Sequence, residues 1–240
     1  MSYKLTELPS MKRHWLLRTS NIPRRFLEMN PEDIVEQLGQ FPVEIQDWID
    51  AVIDGDVIKQ VGGLGTTGVG LLFDGGPGLG KTTHAVVTLM ELICRLPNDE
   101  KKAQNVLAMP PEIYSHHARP IYYMTYPEFI SRKKAIFNAD KETQQRLIAE
   151  MDGFHGRAEN DHLNVRVLVL DDLGKEYGSD YNDASFDEIL RSRYDKALPT
   201  IITTNVPREN WEAQYGKAMG SFAHEAFHLV RIIGEDLRKK

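Results

Sequence analysis

The sequence predicts an α/β protein with a five-stranded parallel sheet flanked by helices. Three observations predict it. A short apolar run at 69–73 stops at an acid and enters a glycine-rich turn, which opens an apolar helix at 81–95. Four further runs rich in β-branched and aromatic residues, at 120–126, 165–172, 199–205 and 227–233, alternate with helical patterns. One of them, "VRVLVLDD", is apolar without interruption from Val167 to Leu170 before its two acids, as a buried strand covered on both faces reads. Strands that alternate with helices pair in parallel, because each crossover helix returns the chain to the end of the sheet where the previous strand began.

The elements follow in order. Residues 1–27 carry Lys4, Lys12, Arg13, Arg18, Arg24 and Arg25 against Glu7, a local charge of +5; with a net charge of −6, the remainder carries −11. Residues 1–19 read as a short basic N-terminal arm on one α/β domain, 20–240. Trp15 and Leu16 are expected at its surface, where charge and exposed side chains offer a contact to a partner; a solvated terminal helix is the alternative. In 45–53, Ile45, Trp48, Ile49, Val52 and Ile53 share one helical face. Gly62, Gly63, Gly65 and Gly68 loosen the chain before the first strand, Val69–Phe73. The helix Lys81–Arg95 is apolar nearly all round and should lie between layers, with Cys94 as a buried core thiol. Residues 97–119, bearing Pro97, Pro110 and Pro111, read as a long excursion, partly irregular. Helical patterns at 126–137, 141–152 and 184–196 separate the remaining strands.

The bulk properties bound the function. A length of 240 residues, 41% of them hydrophobic and 27% charged, suits one globular domain. The single cysteine excludes an internal disulfide framework. No run approaches the ~20 apolar residues of a membrane span, and no apolar signal region opens the chain. The expectation is a cytoplasmic protein with no membrane partner. Net acidity argues against coating nucleic acid through bulk charge.

The glycine turn is the strongest motif. Gly75, Gly76, Pro77, Gly78, Leu79, Gly80, Lys81 and Thr82 fit the phosphate-loop pattern G-x-x-x-x-G-K-[ST] completely, with Thr83 beside it. Glycines let the backbone close around an anion and aim its N–H groups inward. The helix that follows adds its free N-terminal N–H groups and the positive end of its dipole. Lys81 can reach the β- and γ-phosphates of a nucleotide, and the Thr82 hydroxyl can ligate Mg²⁺. The acids that end "VLVLDD" supply the other half: Asp171 to hold Mg²⁺, Asp172 to polarise an attacking water. Asp172 can instead cap the next turn, and Glu176 competes for an acidic role. Asn205, at the end of the fourth strand, can orient that water or simply end the strand.

One motif competes. His224-Glu225-Ala226-Phe227-His228 matches H-E-x-x-H, a zinc signature when both histidines share a helix face. The glycine and third histidine of the extended pattern are absent, and His116-His117 reads as loop. Zinc chemistry is therefore not the expectation.

Together, "DDLGKE" (171–176), "RSRYDKALPTIITTN" (191–205), "GEDLRKK" (234–240) and "SNIPRRFLEMNPEDI" (20–34) resemble the DnaC/IstB branch of the AAA+ P-loop ATPases. The resemblance spans roughly residues 20–240, less 97–119 and 138–164. It implies a five-stranded parallel core without a separate C-terminal helical lid, ATP and Mg²⁺ as ligands, side-by-side homo-oligomers, and contact with single-stranded DNA. Bacterial and phage members load the replicative helicase; IstB members assist a transposase. The resemblance makes Gly75–Thr82 the phosphate loop, Asp171 and Asp172 the magnesium and catalytic acids, and Asn205 the first sensor. Arg193 falls on the family's arginine-tyrosine pair, near a subunit interface or bracing its helix. Arg132, Lys133 and Lys134 follow the second strand, where the family meets DNA; a plain charged helix face is the alternative. A departure stands at Ser221-Phe222, where the family carries Ser-Arg. Phenylalanine cannot stabilise charge on a neighbour's γ-phosphate, so Arg193, Lys217 or Arg231 substitutes, or turnover is slow.

Overall fold

The computed structural model describes residues 4–39, 41–58, 68–110, 118–174 and 180–236. Gly62, Gly63, Gly65, His116, His117 and Glu176 lie outside them. The elements are α1 (Ser10–His14), continued by a wider turn to Thr19, α2 (Pro31–Leu38), α3 (Val43–Asp54), β1 (Gly70–Asp74), α4 (Lys81–Arg95), α5 (Glu100–Val106) and β2 (Ile121–Thr125). After β2 come α6 (Tyr126–Ala135), α7 (Lys141–His155), β3 (Val167–Leu173), α8 (Asp180–Tyr194), β4 (Thr200–Thr204), α9 (Trp211–Tyr215), α10 (Lys217–Ala226) and β5 (Phe227–Arg231). The strands form one parallel sheet in the order β2-β3-β4-β1-β5. All five predicted strands are present, each within two residues of its expected bounds.

Strand alternation divides the core. Leu71, Phe73, Ile121, Tyr123, Val167, Val169, Ile201 and Val230 meet α3, α4 and the N-terminal segment. Leu72, Tyr122, Met124, Leu168, Leu170 and Ile202 meet α6, α7, α8 and α10 on the other face. Helix α4 starts at Lys81 as predicted, and from His84 to Ile93 every residue is buried. The excursion after it is not wholly irregular: α5 forms there because the Asp99 side chain caps it, accepting from the Lys102 N–H at 2.9 Å. The prolines on either side masked that cap in the sequence.

The N-terminal arm departs from expectation. Trp15 and Leu16 are 0% and 1% exposed and belong to the core of the α4 face, together with Met11. Lys12, counted among the arm's surface charges, is buried too. Its ammonium donates to the carbonyls of Cys94 (2.8 Å) and Leu96 (2.5 Å) at the C-terminal end of α4. A cation there satisfies carbonyls that the helix leaves open and meets the negative end of its dipole. A charged helix with a Trp-Leu stripe therefore docks inward, and only its remaining face is solvated. Cys94 itself is half-buried rather than a core thiol. No helix among the described residues is long and apolar enough to cross a membrane.

Two expected outcomes test this packing. Trp15→Ala should lower the unfolding free energy by about 3–5 kcal/mol in urea denaturation, since it empties a fully buried indole site; a loss under about 1 kcal/mol would mean that the arm is not core. His155 is buried at the end of α7, and burial first, then the charge of Arg157, pushes its pKa down to about 3. Above its ordinary 6.5 the imidazole is neutral in both states, so no penalty applies. As pH falls through 6.5 toward 3 the unfolded chain takes up a proton that the folded chain refuses, and stability falls. His155→Gln should flatten that slope in a pH series of denaturation curves.

Candidate nucleotide site

The site is assembled at the C-terminal ends of β1, β3 and β4. β1 delivers the chain to the glycine turn, and α4 leaves it. Gly78 and Gly80 have φ values of +77° and +82°, a left-handed backbone that lets the turn close before α4 starts. A Cβ on Gly78 would also lie 1.7 Å from a carboxylate oxygen of Asp236, which packs against the turn. Beneath it, Asp74 is 2% exposed, accepts from the Arg208 N–H at 3.3 Å and pairs with Arg231 at 3.2 Å. Asp74 thus ties β1, β5 and the segment after β4 together directly under the loop.

Lys81 donates to the carbonyls of Gly75 (2.8 Å) and Gly76 (2.7 Å) and to Asn205 Oδ1 (2.8 Å). Asn205 reaches the lysine because β4 pairs beside β1, with Thr204 opposite Asp74. Asn205 follows the last residue of β4 and turns its amide toward the phosphate loop. Pro77 to Thr83, Asp172, Asn205 and two residues of the N-terminal segment, Arg25 and Phe26, line one cavity of about 300 Å³.

Asp171 is 2% exposed and held by three hydroxyls. Thr82 donates to its two oxygens at 2.9 and 3.1 Å, Thr203 to Oδ1 at 2.5 Å, and Tyr123 to Oδ2 at 2.7 Å. Burial raises the Asp171 pKa and Asp172 adds to the rise, while the Thr203, Tyr123 and Thr82 hydroxyls act against it. An all-oxygen pair, carboxylate and hydroxyl, beside a phosphate loop suits a hard divalent cation such as Mg²⁺. The donor set therefore fits the predicted ion.

Asp172 departs from ideal strand geometry. Between Leu170 and Leu173 the β3–β4 register shifts by one residue, and Asp172 has a φ of +61°. Its N–H donates to Thr203 Oγ1 at 3.0 Å. Regular alternation would send consecutive acids to opposite faces; the bulge turns both toward the loop. Thr203 thus serves both acids, donating a hydrogen bond to the Asp171 carboxylate and accepting one from the Asp172 N–H.

Other expectations resolve differently. Arg193 is not in the site. It is 0% exposed at the other end of the sheet, where it donates to Thr200 Oγ1 and to the carbonyls of Phe154, Val165, Arg166 and Pro199 at 2.7–3.0 Å. It joins α8 to the entrances of β3 and β4. Phe222 is a core residue, its ring against Tyr194 and under the Arg191 guanidinium. Arg231 is held by Asp74 and Glu209, whereas Lys217 is exposed on α10 and has no acidic partner among the described residues. The H-E-x-x-H stretch crosses from α10 into β5 between Ala226 and Phe227, so its histidines share no helix face. Among the described residues no group of three His, Cys, Asp or Glu could hold a metal. Arg132 pairs with Glu128 and Glu150, Lys133 with Glu188, and Lys134 lies 5.6 Å from the Tyr181 ring centre. The basic stripe is largely neutralised within the fold.

Sequence reasoning missed Tyr123, Asp74, Arg25, Phe26 and the double role of Thr203. Only Arg25 and Phe26 had a signal, in the segment that preceded the glycine turn; the others depend on strand pairing.

Residues 133–240 match the model of a family described as IstB-like ATP binding protein. This stretch is IstB-like. The IstB-like stretch starts within α6 and contains both acids and Asn205, but the phosphate loop precedes it. Solved structures match over a larger share of the chain. The crystal structure of the DnaC helicase loader superposes with a TM-score of 0.56 at 22% identity, covering 88% of this chain and 100% of that one. The crystal structure of DnaI gives 0.55 at 19%, covering 89% and 96%. These likenesses establish the fold, a five-stranded parallel sheet flanked by helices as in the DnaC and DnaI structures. No curated protein matches in sequence.

The strained acid offers a direct check. Asp172→Gly should raise the unfolding free energy by about 1 kcal/mol, because glycine removes the left-handed penalty of an L-residue. Unchanged or lower stability in urea denaturation would show that the +61° backbone is not strained.

Proposed function

We propose that the protein is an ATP-dependent loader of a replicative DNA helicase, one that binds ATP with Mg²⁺ and hydrolyses it slowly to ADP and phosphate. The observation that carries this reading is the convergence of Lys81, Thr82, Asp172 and Asn205 on one cavity, with Asp171 buried behind it and hydrogen-bonded to Thr82. The fold around it is similar to structures of helicase loaders.

The chemistry follows from the residues. Backbone N–H groups of the turn and the start of α4 receive the phosphates. Lys81 exchanges its carbonyl and amide acceptors for phosphate oxygens. Thr82 and Asp171 hold Mg²⁺, which when bound neutralises charge on the β- and γ-phosphates. Asp172 takes the proton of the attacking water, and Asn205 orients that water toward the γ-phosphorus; ADP leaves as the new P–O bond forms. Arg25 and Phe26 wall the cavity from the N-terminal side. Slow turnover is consistent with Phe222 in place of the expected arginine. With Arg193 buried and Arg231 tied to Asp74, Lys217 is the exposed cation that a neighbouring copy would present in a homo-oligomer. Single-stranded DNA is the second ligand of this reading.

The IstB-like stretch favours one other reading, a helper ATPase for a transposase. Native mass spectrometry separates the two. The protein, mixed with the replicative helicase of its source, ATP, Mg²⁺ and a single-stranded oligonucleotide, should give a defined complex that incorporates the oligonucleotide. Lys81→Ala should weaken nucleotide binding at least about 100-fold and remove the complex, since a buried charged contact to phosphate is lost. Self-assembly with ATP but no helicase complex would sink the loader reading and leave the transposase as the partner to try.

A further inference from the structure

We propose that Tyr123 is a positioning residue for Asp171, and that the turn at Ser20 and Asn21 holds Tyr123 in place. The segment ahead of the nucleotide site would then set the metal affinity of that site. The inference rests on the reading of Asp171 as the magnesium acid.

β2 is an edge strand, so the backbone groups of Tyr123 that point away from β3 lack a strand partner. The N-terminal segment supplies one. The Tyr123 N–H donates to the Ser20 carbonyl at 2.8 Å, and Asn21 Nδ2 donates to the Tyr123 carbonyl at 2.9 Å. The turn that does this is well held. Ser20 is fully buried, its hydroxyl donating to the Leu16 carbonyl at 2.6 Å and accepting from the Ile22 N–H at 3.2 Å. Asn21 has a φ of +55°, a conformation that asparagine tolerates better than most residues. The Tyr123 ring packs in the same core as Met11, Trp15, Leu16, Ile22 and Phe26. The backbone is thus held by residues ahead of the phosphate loop, the ring lies in the core they share, and the hydroxyl at its far end donates to Asp171 Oδ2 at 2.7 Å.

The three hydroxyls on Asp171 are not equivalent. Thr82 is itself a metal ligand in this reading, and Thr203 donates to Oδ1. Once the Thr82 hydroxyl turns to a cation, Oδ2 keeps Tyr123 as its hydroxyl donor among the described residues. Tyr123 then decides where Oδ2 points, and a partner that pulls on residues 20–21 would change that orientation without touching the nucleotide.

The test uses the full chain, a fluorescent ATP analogue and Mg²⁺ titrations, with nucleotide binding in EDTA as the metal-free reference. Tyr123→Phe keeps the ring and removes the hydroxyl. It should leave binding in EDTA within about twofold and raise the Mg²⁺ midpoint about tenfold, the low end for loss of an outer-shell partner. Asn21→Gly tolerates the backbone and removes the amide; it should raise the midpoint about threefold, within the range for one hydrogen bond. The double variant should match Tyr123→Phe alone, because Asn21 acts through that hydroxyl. An unchanged midpoint in Tyr123→Phe overturns the positioning role. Full additivity in the double variant overturns the link to the N-terminal turn. A wild-type protein that binds nucleotide with no Mg²⁺ dependence would overturn instead the reading of Asp171 as the magnesium acid.

Discussion

A carboxylate buried at the C-terminal end of a central strand must be met by donors from its surroundings, or its ionisation costs several kcal/mol. Asp171 meets that condition with one hydroxyl from the phosphate-loop helix, one from β4 and one from β2. Much of the site geometry depends on this constraint. It fixes the phase of α4 against β3, because Thr82 must face the acid. It makes Thr203 the partner of both acids and so sets the bulge that turns Asp172 toward the loop. It also gives the edge strand a polar task, which the N-terminal segment supports from outside.

A second buried charge does comparable work at the other end of the sheet. Arg193 donates to carbonyls of the segments entering β3 and β4. Its five acceptors offset the desolvation of a guanidinium with no solvent access. The two strands that carry the acids and Asn205 are therefore pinned at both ends, by an arginine where they begin and by a network of hydroxyls where they end. A site assembled at strand ends needs such pinning, since small slips of β3 against β4 would separate Asp171 from Thr203.

The N-terminal segment belongs to the same economy. Lys12 closes the C-terminal end of α4, Trp15 and Leu16 fill the core beside it, Ser20 and Asn21 cover the β2 edge, and Arg25 and Phe26 reach the cavity. The stretch from Lys12 to Phe26 touches the far end of α4, the edge of the sheet and the mouth of the site. That breadth explains why a segment with the charge pattern of a free arm packs as part of the domain.

By itself the sequence determined what is local. Five strands, the start of α4 and the phosphate loop are legible because periodicity and turn chemistry act over a few residues. The two acids and Asn205 were legible as strand-end residues for the same reason. What it left open was every contact between distant positions. Asn205 lies 124 residues from Lys81, and Tyr123 lies 48 from Asp171. Only strand order and register bring them within 2.8 Å. Burial was open as well: Trp15 and Phe222 have the same local appearance whether they face solvent or core, and Arg193 reads as a site residue until the sheet places it at the opposite end. Helical charge runs such as Arg132 to Lys134 look like a ligand surface until tertiary packing brings Glu150 and Glu188 against them. Chemistry within a turn is encoded by neighbours in sequence; the partners of a charge are chosen by the fold.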